Sequence, residues 1–273
     1  MVYARYGEVF KMLREERELK TSDFKEYGIS KSTLDKFESG RGNLAFDKLD
    51  DALQMMNVSL HEYSYLLNDG VNDYFIDVFE EIDNAFYSED IARLKNIYEE
   101  NIQYPENRLF ALSAKACYET LTEKEQENIS DYLFSVEHWG AKELWIFTDT
   151  IDQLSLSTVI LLLNEFLIKS KYYQGIYEYN RLIIQAANNA VAFLIRNNQK
   201  EAARKVLRQM ENQFFEVDLF ARVLYHFMLG YWDYIYQDKV LGNQMMNHSL
   251  HILKFLEATH IHNVYYHFYK NHT

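Results

Sequence analysis

Thr21-Ser22-Asp23-Phe24-Lys25-Glu26-Tyr27-Gly28-Ile29-Ser30-Lys31-Ser32-Thr33-Leu34-Asp35-Lys36-Phe37-Glu38-Ser39-Gly40 reads as a short helix, a tight turn and a second helix. Thr21 or Ser22 can cap the first by accepting an otherwise unpaired backbone N–H. Gly28 gives the turn its backbone freedom, and Ser30 caps the second helix. Phe24, Tyr27, Ile29, Leu34 and Phe37 are spaced to close a small core between the two. The open start of the second helix then offers Ser30, Lys31, Ser32 and Thr33, with Lys36 one turn on. Short polar side chains at the start of a second helix are what a helix-turn-helix presents to a DNA major groove.

The flanks extend this pattern. Tyr3 to Glu18 reads as an amphipathic helix with Tyr6, Val9, Phe10 and Leu13 on its apolar side. Phe46 to Met56 carries Leu49, Leu53 and Met56 at helical spacing, and Val58-Ser59-Leu60-His61-Glu62-Tyr63 opens a fifth helix. Gly28-Ile29-Ser30-Lys31-Ser32, Leu34, Phe37-Glu38-Ser39-Gly40, Leu53 and Asn57-Val58-Ser59 together resemble the repressor-like (Cro/phage repressor, "XRE") DNA-binding domain. That resemblance implies DNA contacts from Ser22, Ser30, Lys31, Ser32, Thr33 and Lys36, with Arg14 and Arg41 holding position. Arg14 has a second reading, as an internal partner of Glu38 that ties the first helix to the recognition helix. The first motif helix is about two residues shorter than the family's.

The formal charge of −13 is unevenly divided. Residues 1–67 hold 10 Lys and Arg against 12 Asp and Glu, whereas the rest holds 18 against 29. A near-neutral reader can bind DNA if its cations share one face, and its affinity then falls steeply with salt. One proline and 9 glycines leave long helices uninterrupted, and 22 Tyr with 18 Phe imply well-filled cores. No apolar run approaches the ~20 residues that span a bilayer, and the N-terminal residues are too charged for a signal peptide. Cys117 is the single cysteine, so no intrachain disulfide forms. The expected location is cytoplasmic, with no membrane partner.

Asn68-Asp69-Gly70 marks the expected boundary between domains 1–67 and 71–273. Beyond it no strand alternation appears, and helix follows helix. The apolar spacing predicts helices over Tyr74 to Phe86, Ile91 to Ile102, Leu109 to Leu121, Glu123 to Trp139, Glu143 to Leu154 and Thr158 to Tyr172. Four more follow over Ile176 to Asn197, Gln199 to Phe214, Asp218 to Gln237 and Leu241 to Ala258. Helix pairs recurring every 30–40 residues indicate an α-solenoid of tetratricopeptide type. The expected fold class is therefore all-α, with a repressor-like five-helix domain followed by a tetratricopeptide-like solenoid.

Val136-Glu137-His138-Trp139-Gly140-Ala141-Lys142-Glu143-Leu144-Trp145-Ile146-Phe147, followed by Leu154-Ser155, resembles the Rgg/GadR/MutR group of Gram-positive regulators. The likeness runs through the whole chain in length and order of parts. It implies membership of the wider RRNPP class: homodimers that bind promoter DNA through the small domain and a short signalling peptide through the concave repeat surface. On that surface Tyr177, Arg181, Gln185 and Asn188 recur at near-helical spacing, with Asn164, Arg222 and Tyr225 on neighbouring helices and Trp145 before them. Asn and Gln amides pair with both groups of an extended backbone, and Arg181 could clamp a carboxylate. The segment from Leu241, with Met245, Met246, Leu250, Leu253 and Phe255, has a broad apolar side. No repeat is expected after it, so a dimer partner would cover it.

The remaining chemistries find no support. His260-x-His262 with His267, and His248 with His251, lack a cysteine or carboxylate at metal-site spacing, so no metal is expected. No phosphate-cradling loop, nucleophile elbow or paired-carboxylate motif is present, so neither a cofactor nor catalysis is expected. Two alternatives stay open beside the peptide-controlled regulator. One is a helical interaction scaffold or antitoxin-like protein, and the other is a DNA-binding regulator that senses a small apolar ligand.

Overall fold

The apolar side chains gather into two separate cores, one on each side of residue 70. In the computed structural model, which describes residues 4–173, 175–211 and 217–273, the chain divides into compact units Met1–Tyr74 and Phe75–Thr273. Every regular element among the described residues is helical. The expected helix ends at Tyr3 and Phe214 lie outside the described residues.

The first unit contains α1 (Ala4–Glu16), a 3-10 helix (Thr21–Tyr27), α2 (Lys31–Glu38), α3 (Phe46–Met55) and α4 (Leu60–Leu67). Phe10 sits at its centre, 5.7 Å from the rings of both Phe24 and Phe37. Val9, Leu13, Ile29, Leu34 and Leu53 complete the core, whereas Tyr6 and Tyr27, expected inside, lie on the surface. Neither Thr21 nor Ser22 caps the first motif helix. The Asp23 carboxylate does so, accepting from the Lys20 N–H at 2.8 Å. Gly28 closes that helix at φ +73°, a region that costs a side chain strain. Gly7 lets α1 and α2 touch, since a Cβ there would lie 1.9 Å from the Phe37 carbonyl oxygen.

The second unit consists of α5 (Tyr74–Tyr87), α6 (Ile91–Ile102), α7 (Arg108–Ala116), α8 (Glu123–Ser135), α9 (Ala141–Thr150), α10 (Leu156–Ser170), α11 (Tyr177–Arg196), α12 (Lys200–Met210), α13 (Leu219–Tyr236), α14 (Lys239–Phe255) and α15 (Thr259–His272). The odd-numbered helices form one row, α7 on α9, α9 on α11 and α11 on α13. Helices α6, α12 and α14 back that row from the other side. This two-layer alternation is the solenoid logic: each pair buries its apolar stripe against the next. Among the described residues no helix is long and apolar enough to cross a membrane.

Two sequence expectations change here. Residues 136–140 leave the helix, and Trp139 instead plugs the core with its indole N–H donating to the Leu133 carbonyl at 3.1 Å. The helix from Leu241 is followed by another, α15, which packs Tyr265 and Phe268 against Phe227 and Tyr231 of α13. Met246, Leu250 and Leu253 are therefore buried within the chain. Val240, Leu241, Ile252 and Phe255 of α14 remain exposed, with Leu256 just after it. Helices α13 and α14 cross backbone to backbone: a Cβ on Gly242 would fall 2.3 Å from the Tyr234 nitrogen.

Candidate functional site

In the small unit, α2 presents its first turn outward. Ser30 caps it, its Oγ accepting from the Thr33 N–H at 3.1 Å, and the two hydroxyls lie 2.8 Å apart. Lys31, Ser32, Thr33, Asp35 and Lys36 are exposed, while Leu34, Phe37 and Glu38 turn inward. The helical period thus sorts one octapeptide into a buried side and an exposed side. Ser22 lies exposed on the preceding 3-10 helix, its hydroxyl donating to Asp23. Arg41 is exposed beyond α2, its Nε donating to Ser39 Oγ at 2.8 Å.

Arg14, grouped with the DNA-facing cations by its position, is buried instead. Its Nε and one terminal nitrogen donate to the two Glu38 oxygens at 2.6 and 2.9 Å, and its other terminal nitrogen holds the Leu19 carbonyl. The hydrogen bond to Glu38 raises the Arg14 pKa further, so the guanidinium stays charged. Both partners are 8 % exposed, which leaves Arg14 as an internal brace between α1 and α2.

In the large unit, the row of odd-numbered helices borders a cavity of about 360 Å³, within the size range of small-molecule pockets. Asp83, Phe86 and Tyr87 of α5 line it, with Cys117 after α7 and Thr148 and Asp149 of α9. Gln185, Asn189 and Arg196 border it from α11, Met228 from α13, and Tyr265 and Phe268 from α15. On α11 Gln185, Asn189, Ala192 and Arg196 recur at three- and four-residue steps, so one stripe of that helix faces the cavity. Asn189 is steered by its amide N–H, which donates to the Thr148 carbonyl at 3.3 Å, and Arg196 is held by Asp152.

The cavity's most unusual feature is a pair of carboxyls. Burial raises the Asp83 pKa to about 6, a shift that the Trp145 indole N–H partly offsets and Glu80 adds to. Burial also raises Asp149 well above the carboxylate range, and the Asp83 charge adds to it. The Asp149 Oδ2 atom is shut off from solvent and accepts no hydrogen bond among the described residues. Burial, then the charges of the two aspartates, pushes the Cys117 thiol up, so it stays protonated.

Only part of the expected peptide stripe meets this cavity. Gln185 borders it, and Trp145 lies behind it, stacked on Phe79 at 5.2 Å. Asn164 is exposed on α10 and Tyr177 at the start of α11, and neither is a lining residue. Arg181 sits above the Tyr177 and Phe220 rings, its Nε 3.7 Å from the Asp218 carboxylate. Asn188 is fully buried, with neither amide atom hydrogen-bonded among the described residues. Arg222 is half-buried and Tyr225 buried on α13, both away from the lining. Sequence reading missed Asp83, Asp149, Asn189 and Arg196. The two aspartates stand 66 positions apart, so no local spacing links them. Asn189 and Arg196, by contrast, continue the α11 period from Gln185 and were legible there.

The C-terminal domain of the HTH-type transcriptional regulator Rgg matches residues 84–267 of this chain. Among solved structures, the Streptococcus dysgalactiae SHP pheromone receptor Rgg2 superposes with a TM-score of 0.81 at 20 % identity, over 98 % of this chain and all of that one. A PrgX/cCF10 complex superposes with a TM-score of 0.67 at 16 % identity, over 96 % of this chain and 98 % of that one. Both likenesses are of fold.

Proposed function

This chain belongs to the Rgg family of HTH-type transcriptional regulators, and from that premise we propose that it is a homodimeric regulator that reads promoter DNA with α2 and is controlled by a short peptide held in the cavity of the large unit. The observation that carries the DNA half is the sorting of α2, with its apolar side buried and Lys31, Ser32, Thr33 and Lys36 exposed behind a capped N-terminus. That turn has the chemistry for groove entry: short polar side chains for base edges and lysines for phosphates. Ser30 at the start of α2, Ser22 on the preceding 3-10 helix and Arg41 beyond the end of α2 belong to the proposed contact surface.

The peptide half is supported by the cavity, to which α5, α9, α11, α13 and α15 all contribute, and by the likeness of fold to Rgg2, an SHP pheromone receptor. A ligand that touches five helices can favour one arrangement of them, which is how a coupling free energy to the DNA-reading unit arises. Gln185 is the one member of the predicted stripe that borders this space, so it belongs to the proposed peptide site with Asn189 and Arg196. Trp145 supports the site from behind. The exposed apolar side of α14, where Phe255 is 85 % exposed, supports dimerisation. A lining that mixes carboxyls and amides with Phe and Met speaks for a peptide over a purely apolar ligand.

Selection of bound duplexes from a random pool, followed by anisotropy titration on the selected sequence, tests the reading. Replacing Lys31 and Lys36 by alanine should weaken binding at least tenfold and reduce the salt slope by about 2, one for each phosphate left without its lysine. A pool that yields no preferred sequence, or a slope unchanged by the substitutions, would overturn it.

A further inference from the structure

We propose that the cavity of the large unit selects a positively charged group, seating an ammonium or guanidinium of its ligand against Asp83 and Asp149. This deepens the peptide reading above and rests on it for the nature of the ligand. In a peptide the group would be a Lys or Arg side chain or the terminal α-ammonium.

The geometry suits a cationic guest. Two aspartates from α5 and α9 border one cavity. Among the described residues neither has a Lys, Arg or His nitrogen within ion-pair distance, although the chain forms such pairs freely elsewhere. Arg196, the guanidinium that lines the same cavity, is held by Asp152. Asp149 Oδ2 is buried with its acceptor capacity unused. An unpaired buried acceptor such as Asp149 Oδ2 is costly unless a ligand completes it. The rest of the lining favours the same guest. Phe86, Tyr87 and Phe268 also line the cavity, and aromatic rings attract cations, while Gln185 and Asn189 can hydrogen-bond the backbone that carries the charge. A carboxylate-bearing ligand would face two carboxyls and gain no opposite charge from them, which disfavours it.

The test uses the full-length protein at about 0.15 M salt, where surface charges are screened, and four probes of matched length: n-hexylammonium, n-butylguanidinium, n-hexanol and hexanoate. Titration calorimetry or ligand-observed NMR should give the two cations dissociation constants at least tenfold below those of hexanol and hexanoate. The isosteric Asp149→Asn and Asp83→Asn variants should each lose most of that preference while leaving hexanol unchanged, and their unaltered circular dichroism would show that the fold is intact. Equal binding of hexanol and hexylammonium, or a preference that survives both substitutions, overturns the inference. Displacement of hexylammonium by low-millimolar Ca²⁺ or Mg²⁺ also overturns it, assigning the carboxyls to a metal ion.

Competition by random octapeptide pools identifies the source of the charge. An acetylated pool with one fixed Lys or Arg points to a side chain, and a free-amine pool without either points to the α-ammonium. If hexylammonium binds and no pool competes, the cation preference stands and the peptide reading falls. If acetylated pools lacking Lys and Arg compete best, the peptide reading stands and this inference falls.

Discussion

The two units of this protein place their charges in opposite ways. In the small unit the deeply buried ion Arg14 is matched by Glu38 through two hydrogen bonds, and the groups proposed to meet DNA stand in water. In the large unit two carboxyls line a cavity with no Lys, Arg or His nitrogen within ion-pair distance of them among the described residues, and residues 68–273 hold 29 of the chain's 41 Asp and Glu. DNA is a large, highly charged partner that a flat exposed face can meet, so the reader needs rigidity beneath and nothing unsatisfied above. A small guest must be enclosed to be recognised, and enclosure forces polar groups out of water before the guest arrives. The contrast separates a site that costs the fold little from one that the fold carries at a loss.

Three perturbations would break or sharpen this contrast, starting with the largest. Arg14→Ala leaves the Glu38 carboxylate buried and alone, and should destabilise the small unit by about 3–5 kcal/mol. Differential scanning calorimetry should show its transition lost or strongly lowered with that of the large unit in place. An unchanged thermogram would show that the brace contributes little. Gly242→Ala comes next. Its Cβ would press on Tyr234 and Gly230 at the crossing of α13 and α14, and repacking should cost the large unit about 1–3 kcal/mol. Urea denaturation followed by tryptophan fluorescence would read it, since all three tryptophans lie beyond residue 138.

The smallest effect has the opposite sign. A carboxyl whose pKa rises on folding holds its proton more tightly in the native state, so it lowers stability as pH climbs from its unfolded value near 4 through its folded one. For Asp83 that window runs from about 4 to about 6, and for Asp149 it extends higher. Asp149→Asn removes this penalty and should raise the melting temperature of the large unit by ~2–4 °C at pH 8, with a smaller gain near pH 4.5. The small unit's shifted carboxylate behaves in reverse. Glu62 is lowered by its hydrogen bonds to Ser59, so its contribution is present above the unfolded pKa and fades on acidification. A gain from Asp149→Asn that is independent of pH would remove the charge argument and leave only shape.

Ser30 illustrates how far the chain could be read directly: a serine before Lys31 at the right distance from Thr33 is a cap whatever surrounds it. The same holds for Gly28, for the sorting of Leu34 and Phe37 from Lys31 and Lys36, and for the run of amphipathic helices after residue 74. These features depend on contacts within about one helical turn, and the 3.6-residue period fixes them. Arg14 sits at the limit, since its pairing with Glu38 was foreseeable as one of two readings, and only packing chose between them. The α11 stripe shows a finer loss. Period alone grouped Gln185 with Arg181 and Asn188, whereas the neighbouring helices rotate the cavity-facing line onto Gln185, Asn189 and Arg196.

The amino-acid order by itself therefore determined an all-helical chain, a capped helix with an exposed polar side on a small core, a separate acidic repeat region and the family. The fold alone decided that Asp83 and Asp149 share one cavity, that Arg14 is a brace, and that α15 covers most of the apolar side of α14. The physical reason is range. Helical period and capping act between residues three or four positions apart, whereas burial, cavity shape and the mutual repulsion of buried carboxyls arise between side chains that only tertiary packing brings together.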